Sequence, residues 1–136
     1  MMDLRNQMSR RFTVLVMDDA AVVRSLLAAM LAEIESVESV IQAEDAASAL
    51  RLVDEHAPDI AILDIKVPGA GSVQNGIDVL RQVKGAHPET KVIMLTNHAT
   101  ERYRSECQKA GADYFYDKSS EFEQLLDRVA EYGAQA

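Results

Sequence analysis

The chain has little of what would set it apart from an ordinary globular domain. It holds one cysteine, Cys107, among 136 residues. A single thiol forms no internal disulfide, and this fits a reducing cytoplasm. Basic residues are few, 14 against 22 acidic ones, for a formal net charge of -8. Phosphate backbones are bound by clustered Lys and Arg, so a nucleic acid is not expected as a direct partner. No apolar stretch reaches the roughly 18–20 residues of a membrane-spanning helix, and no membrane association is expected. Residues 1–11, MMDLRNQMSRR, lack the apolar centre of a secretory signal and read as a frayed tail. No repeat or low-complexity tract occurs, and no second domain is expected within these residues. The 48% hydrophobic and 26% charged content argues against disorder, and the length is that of one domain.

What is present is an alternation. Short apolar runs occur at Thr13–Met17, Ser39–Ala43, Ile60–Leu63, Lys91–Leu95 and Tyr114–Tyr116. The first, third and fourth are continuously apolar and rich in Val and Ile, as strands buried on both faces of a parallel sheet are. The second and fifth carry polar residues suited to sheet edges. Helix-period segments lie between the runs. Val23, Leu26, Leu27, Met30, Leu31 and Ile34 form one apolar stripe. A second helix is expected over Ala46–His56, with Asp45 as N-cap and Pro58 as its stop. A third is expected over Ile77–Lys84 and a fourth, thinly apolar, over Thr100–Ala110 with Gly111 beyond it. A fifth opens on Ser120–Glu123, a capping-box pattern, and buries Phe122, Leu125, Leu126 and Val129. Right-handed crossovers turn this (βα)5 order into a doubly wound, five-stranded parallel α/β sheet.

Ligands of such sheets sit at the carboxyl ends of the strands. The polar residues at those ends are Asp18 and Asp19, Asp64, Thr96 and Lys118. Clustered carboxylates repel unless a cation neutralises them, and oxygen-only donors favour Mg2+. An Asp can attack phosphorus to give an aspartyl phosphate. The charge of a transferring phosphoryl group spreads over its oxygens, which Mg2+, an ammonium and a hydroxyl can share.

The segments VLVMDDA, IAILDIKVP, VIMLTN and AGADYFYDKS resemble the response-regulator receiver domains of two-component signalling, from about Phe12 to Tyr132. The resemblance implies a flavodoxin-like sheet of order 2-1-3-4-5, with residues 12–132 as the receiver domain and residues 133–136 as a short tail. It implies Asp64 as the phosphoacceptor, fed by a histidine kinase or a histidine phosphotransfer protein. Mg2+ would be held by Asp18, Asp19, Asp64 and the main-chain carbonyl of Lys66. Thr96 and Lys118 would bind the phosphoryl group, Thr96 and Phe115 would form the switch, and the fourth helix, fifth strand and fifth helix would meet a downstream protein. Homodimerisation is an option the resemblance leaves open.

The chain departs from the family pattern at several positions. Seven residues, Gly69–Asn75, separate Pro68 from Gly76, where the family has three. Asn97 follows Thr96 in place of Ala or Gly, and Ser119 follows Lys118 in place of Pro. Lys66, Asn97 and His98 are the side chains expected to tune the phosphoryl lifetime, towards slow loss. Two other readings compete. An aspartate-nucleophile phosphohydrolase needs an acid/base two residues after Asp64, where Lys66 stands. A phosphorylation-independent interaction module is favoured only by Asn97 and the long loop. The glycines of that loop lack nucleotide-binding spacing. Cys107 reads as a small core residue, and His56 and His87 as solvated. The overall expectation is a cytoplasmic phosphorylation switch, not a turnover enzyme, that acts by protein contact or belongs to a longer chain.

Overall fold

In the computed structural model, which describes residues 11–135, strands and helices alternate without exception. They are β1 (Phe12–Met17), α1 (Ala21–Ala32), β2 (Val37–Ala43), α2 (Ala46–His56), β3 (Ile60–Leu63), α3 (Gly76–Ala86), β4 (Lys91–Thr96), α4 (Glu101–Lys109), β5 (Tyr114–Asp117) and α5 (Phe122–Gln135). All strand pairs are parallel, in the order β2-β1-β3-β4-β5. The alternation had implied a doubly wound parallel sheet, and the strand order is the flavodoxin-like one that the family resemblance implied.

The apolar runs work because successive strand residues face opposite sides. Leu15, Met17, Ala61, Leu63, Val92 and Met94 point towards α2, α3 and α4, where they meet Ala49, Val53, Leu80, Val83 and Cys107. Val14, Val16, Ile62, Ile93 and Leu95 point the other way, against Leu27 and Leu31 of α1 and Leu125 and Val129 of α5. A strand covered on both faces has no polar side to show, hence the unbroken runs. Asp45 caps α2 as expected: its carboxylate accepts from Ser48 N at 2.8 Å, in a capping box.

Three expectations are corrected. In α1 the buried residues are Leu27, Ala28 and Leu31, whereas Val23 is 36% and Leu26 60% exposed, and Val22 beside them is 83% exposed. The apolar stripe is real, but only its C-terminal half lies on the sheet. Second, α5 runs through Gln135, so the tail read at residues 133–136 is helical as far as it is described. Gly133 permits this: a Cβ there would stand 2.4 Å from Ser36 Oγ and 2.9 Å from Phe12 Cε1, so the helix passes against β1 and the turn before β2. Third, His87 is half-buried and its Nε2 lies 2.9 Å from Asp54 Oδ1, which joins the ends of α2 and α3. The tail expected over residues 1–11 falls outside the described residues except for Arg11, whose Nη2 donates to the Val37 carbonyl at 3.4 Å.

Cys107 is the sole buried residue of α4. Burial, with Glu106 adding to it, pushes its thiol up to about 11. The thiolate is the reactive form, so the native protein at neutral pH should label with a thiol reagent far more slowly than the same chain in urea. Native labelling at the unfolded rate would contradict this packing.

Candidate functional site

The sheet ladder continues one residue past three strand ends and thereby aims the polar side chains. Asp18 N donates to the Ala43 carbonyl at the end of β2 at 3.1 Å, and Asp64 N to the Met17 carbonyl at the end of β1 at 3.2 Å. Lys118 N donates to the Thr96 carbonyl at the end of β4 at 2.9 Å. These bonds fix the main chain just where each candidate residue leaves the sheet. The side chains then meet. Lys118 Nζ lies 2.5 Å from Asp18 Oδ2 and 2.7 Å from Asp64 Oδ2. Asp18 is 2% and Asp64 7% exposed. The remaining carboxylate oxygens are held locally: Asp18 Oδ1 accepts from Ala20 N at 2.9 Å and Asp64 Oδ1 from Ile65 N at 2.7 Å.

Desolvation pulls the Lys118 ammonium down, but hydrogen bonds and charge from Asp18 and Asp64 outweigh it, and the net shift is upward from 10.5. Three carboxylates standing unneutralised are therefore not what the site contains. Lys118 already bridges two of them.

The other expected residues stand further out. Asp19 is exposed and does not join the Asp18–Lys118–Asp64 cluster. No group of three His, Cys, Asp or Glu residues among those described is arranged to enclose an ion. The donor chemistry nevertheless suits Mg2+, which takes one or two carboxylates and keeps several waters. Two buried carboxylates face one point, Asp19 is adjacent to Asp18, and no hydrogen bond to the Lys66 carbonyl occurs among the described residues. Thr96 is fully buried, and its Oγ1 accepts from His98 N at 3.1 Å. Asn97 and His98 are exposed. Lys66 is exposed, with its ammonium 5.4 Å from the centre of the Tyr103 ring on α4 and not on Asp64. Phe115 is half-buried beneath the Arg104 guanidinium, 4.5 Å from its ring centre, and Arg104 Nη1 also reaches the Phe115 carbonyl at 3.4 Å.

Two of the departures from the family pattern have local solutions. The long Gly69–Asn75 segment folds on itself: Ala70 and Val73 exchange main-chain bonds of 2.8 and 3.1 Å, and Val67 and Val73 are buried. The Pro68 carbonyl takes the Ala46 N–H, so the loop is tied to the first turn of α2. Asn75 then caps α3 by accepting from Ile77 N and Asp78 N. Gly76 is obligatory in this arrangement, since a Cβ there would sit 1.7 Å from the Asp64 carbonyl oxygen. At the other departure the Lys118–Ser119 bond is trans. Ser119 closes the turn by donating its N–H and hydroxyl to Asp117 Oδ1 at 2.9 and 2.7 Å. These bonds hold the Asp117 carboxyl below its usual range. Ser120 N donates to the Asp117 carbonyl at 3.3 Å, and α5 starts at Phe122, one residue later than a capping box at Ser120–Glu123 would start it.

Sequence reasoning missed Arg24. Its Nη1 donates to the Asp18 carbonyl at 2.8 Å and its Nε to Gln42 Oε1 at 3.1 Å. The signal was an arginine one turn into the helix that follows the acidic pair.

This fold is shared with known proteins. The sequence model described as the response regulator receiver domain matches residues 14–130, and the chain belongs to that family. It is thus a receiver domain of a two-component response regulator, a class of signalling domain and not of turnover enzyme. It is 31% identical over 116 residues to response regulator GacA of Pseudomonas aeruginosa, covering 85% of this chain and 52% of that protein. It is 34% identical over 113 residues to oxygen regulatory protein NreC of Staphylococcus epidermidis, covering 83% of this chain and 50% of the relative. The chain therefore spans about half the length of the curated relatives it matches. The signal receiver domain of the putative response regulator NarL from Mycobacterium tuberculosis superposes with a TM-score of 0.80 at 28% identity, over 93% of this chain and 99% of that one.

Replacing Gly76 with Ala should lower stability by about 1–3 kcal/mol, as overpacking does, and urea unfolding measures it. Unchanged stability would mean that α3 does not press on the Asp64 main chain. Lys118→Met, which leaves two buried carboxylates without their cation, should cost about 3 kcal/mol at neutral pH. Because the folded pKa of Lys118 is raised, its contribution is complete below 10.5 and is lost as pH climbs past the folded value. The stability gap between wild type and variant, from urea titrations, should stay level from neutrality upward and close only above pH 10.5. A gap that closes near neutrality would contradict the ion triad.

Proposed function

We propose that this domain is a phosphorylation switch whose acceptor is Asp64. The observation that supports this best is the Lys118 ammonium held by both Asp18 and Asp64 at the carboxyl rim of the sheet. An ammonium so placed sits where phosphoryl oxygens arrive if an Asp64 carboxylate oxygen attacks phosphorus. The bond between phosphorus and the donor histidine nitrogen breaks, the nitrogen keeps the electron pair, and an acyl phosphate remains on Asp64. Phosphoryl oxygens compete with Asp18 and Asp64 for Lys118, and the Thr96 hydroxyl is the second protein donor to them. Bound Mg2+ supplies charge neutralisation at the transferring phosphoryl group. Asp18, Asp19, Asp64 and the Lys66 carbonyl are its proposed holders, with Asp19 turning inward.

A protein donor, kinase or histidine phosphotransfer protein, has a surface to meet. Val22, Val23 and Leu26 expose an apolar face on α1, which begins just after the acidic pair. The readout is proposed on the face of α4, β5 and α5. Thr96 moving towards the phosphoryl group frees space for Phe115, which must then slide beneath or leave the Arg104 guanidinium. The lifetime roles of Lys66, Asn97 and His98 require these exposed side chains to swing towards Asp64, Lys66 giving up the Tyr103 ring. A cytoplasmic location follows from the same reading, since two-component receivers meet their kinases there.

Incubation with a small phosphodonor and Mg2+, followed by intact mass measurement, tests the proposal. One phosphoryl adduct is expected, absent without Mg2+ and absent in Asp64→Asn. Donor consumption without an adduct would indicate a phosphohydrolase. Failure to gain an adduct from either a small donor or a histidine phosphotransfer protein would overturn the reading in favour of an interaction module.

A further inference from the structure

Helix α1 is attached to the sheet unevenly. Its buried residues, Leu27, Ala28 and Leu31, all lie in its C-terminal half. Between Ala21 and Leu26 no side chain is buried, and only Arg24 is half-buried. The helix start has no side-chain cap, since Ala20 occupies the N-cap position, and its first turn has no acidic residue. Apolar packing therefore does not hold this half in place. Yet it follows directly on Asp18 and Asp19, and it carries the exposed Val22, Val23 and Leu26.

Arg24 supplies the attachment. Its Nη1 donates to the Asp18 carbonyl at 2.8 Å, and its Nε donates to Gln42 Oε1 at 3.1 Å. Gln42 precedes Ala43 on β2, and the Ala43 carbonyl takes the Asp18 N–H. The peptide groups of Asp18 are thus gripped on both sides, by β2 directly and by β2 through Arg24. We propose that Arg24 is a positioning residue for the acidic pocket: through the Asp18 carbonyl and Gln42 it fixes the Asp18–Asp19 turn and the first half of α1 in a single pose. The inference deepens the metal-dependent reading above and rests on it. Arginine suits the task because its planar fork directs two donors at fixed angles, which a lysine ammonium cannot do.

A positive charge at the rim also opposes a bound cation. The two effects have opposite signs. Losing only a charge tightens Mg2+ binding, whereas losing an anchor weakens it, and outer partners of metal ligands commonly account for about tenfold or more in affinity.

The experiment is a Mg2+ titration followed by amide NMR shifts, paired with hydrogen exchange of the metal-free proteins. Arg24→Gln should bind Mg2+ about tenfold more weakly. Arg24→Lys, which keeps the opposing charge but not the fork, should also bind Mg2+ more weakly than wild type. Gln42→Ala, which leaves the arginine charge untouched, should weaken binding in the same direction. The double variant Arg24→Gln with Gln42→Ala should be no weaker than Arg24→Gln alone, because both act through one contact. In the metal-free protein, amides of the first half of α1 should exchange faster in Arg24→Gln, with those around Leu31 unchanged. Tighter binding by Arg24→Gln, or full additivity in the double variant, would overturn the positioning role. If wild type binds no Mg2+, the metal-dependent reading fails, and the exchange comparison still decides whether Arg24 holds the helix. Equal exchange in the two proteins would then overturn the inference.

Discussion

One ammonium joins the ends of three strands. Lys118 leaves β5, Asp18 leaves β1 and Asp64 leaves β3, and their side chains share a single triad at the carboxyl rim. Buried carboxylates need a cation nearby, so the triad sets the identity of each member. It also sets the main chain around them. The Asp18, Asp64 and Lys118 N–H groups each extend a ladder by one residue, so the sheet itself carries the precision of the site. Gly76 completes the arrangement by letting α3 start against the Asp64 carbonyl. An aspartate near a loop would have no such control over its direction.

The same rim is less rigid towards its outer side. Asp19, Asn97 and His98 are exposed, and Lys66 lies against Tyr103. Helix α4 fully buries only Cys107, with Tyr103 partly packed on the core, and adds contacts with charged groups: Lys66 over Tyr103, and Arg104 over Phe115. Contacts of this kind respond to a new anionic charge more readily than close apolar packing does. The molecule thus pairs a firm inner triad with an outer ring of side chains that electrostatics can rearrange. That division suits a signalling domain.

How much of this could be read in advance varied with the physics involved. The β3 strand Ile60–Leu63 was legible to the residue because it is an unbroken apolar run bounded by Asp59 and Asp64, with Pro58 ending the helix before it. Asp45 was legible as a cap because its chemistry is local. Asp18, Asp64, Thr96 and Lys118 were legible as strand-end residues once the sheet was inferred. The apolar stripe of α1 was misread because periodicity reports which residues share a helix face, not how far along the helix that face stays covered. Residues 133–136 were read as a tail because the resemblance fades there, whereas α5 continues and Gly133 permits its close packing against Phe12 and Ser36. The bridging by Lys118 was missed since residues 54 and 100 positions away cannot be paired by local pattern. Arg24 escaped because its place one turn into α1 is visible in the sequence but its main-chain carbonyl target is not.

The free edge of the sheet at β5 carries a consequence of its own. Lys118 N bonds to β4, so the alternate residues Phe115 and Asp117 turn main-chain groups away from it. Both directions are taken by side chains: Arg104 reaches the Phe115 carbonyl, and Asp117 N donates to Glu121 Oε1 at 2.9 Å. An incoming extended peptide would have to displace an arginine and a glutamate before it could add a strand. Recognition at this edge therefore runs through side chains, among them Tyr114, 38% exposed with the Arg128 guanidinium over its ring. The edge discriminates among partners by surface chemistry, and it resists the indiscriminate strand pairing that open parallel sheets invite.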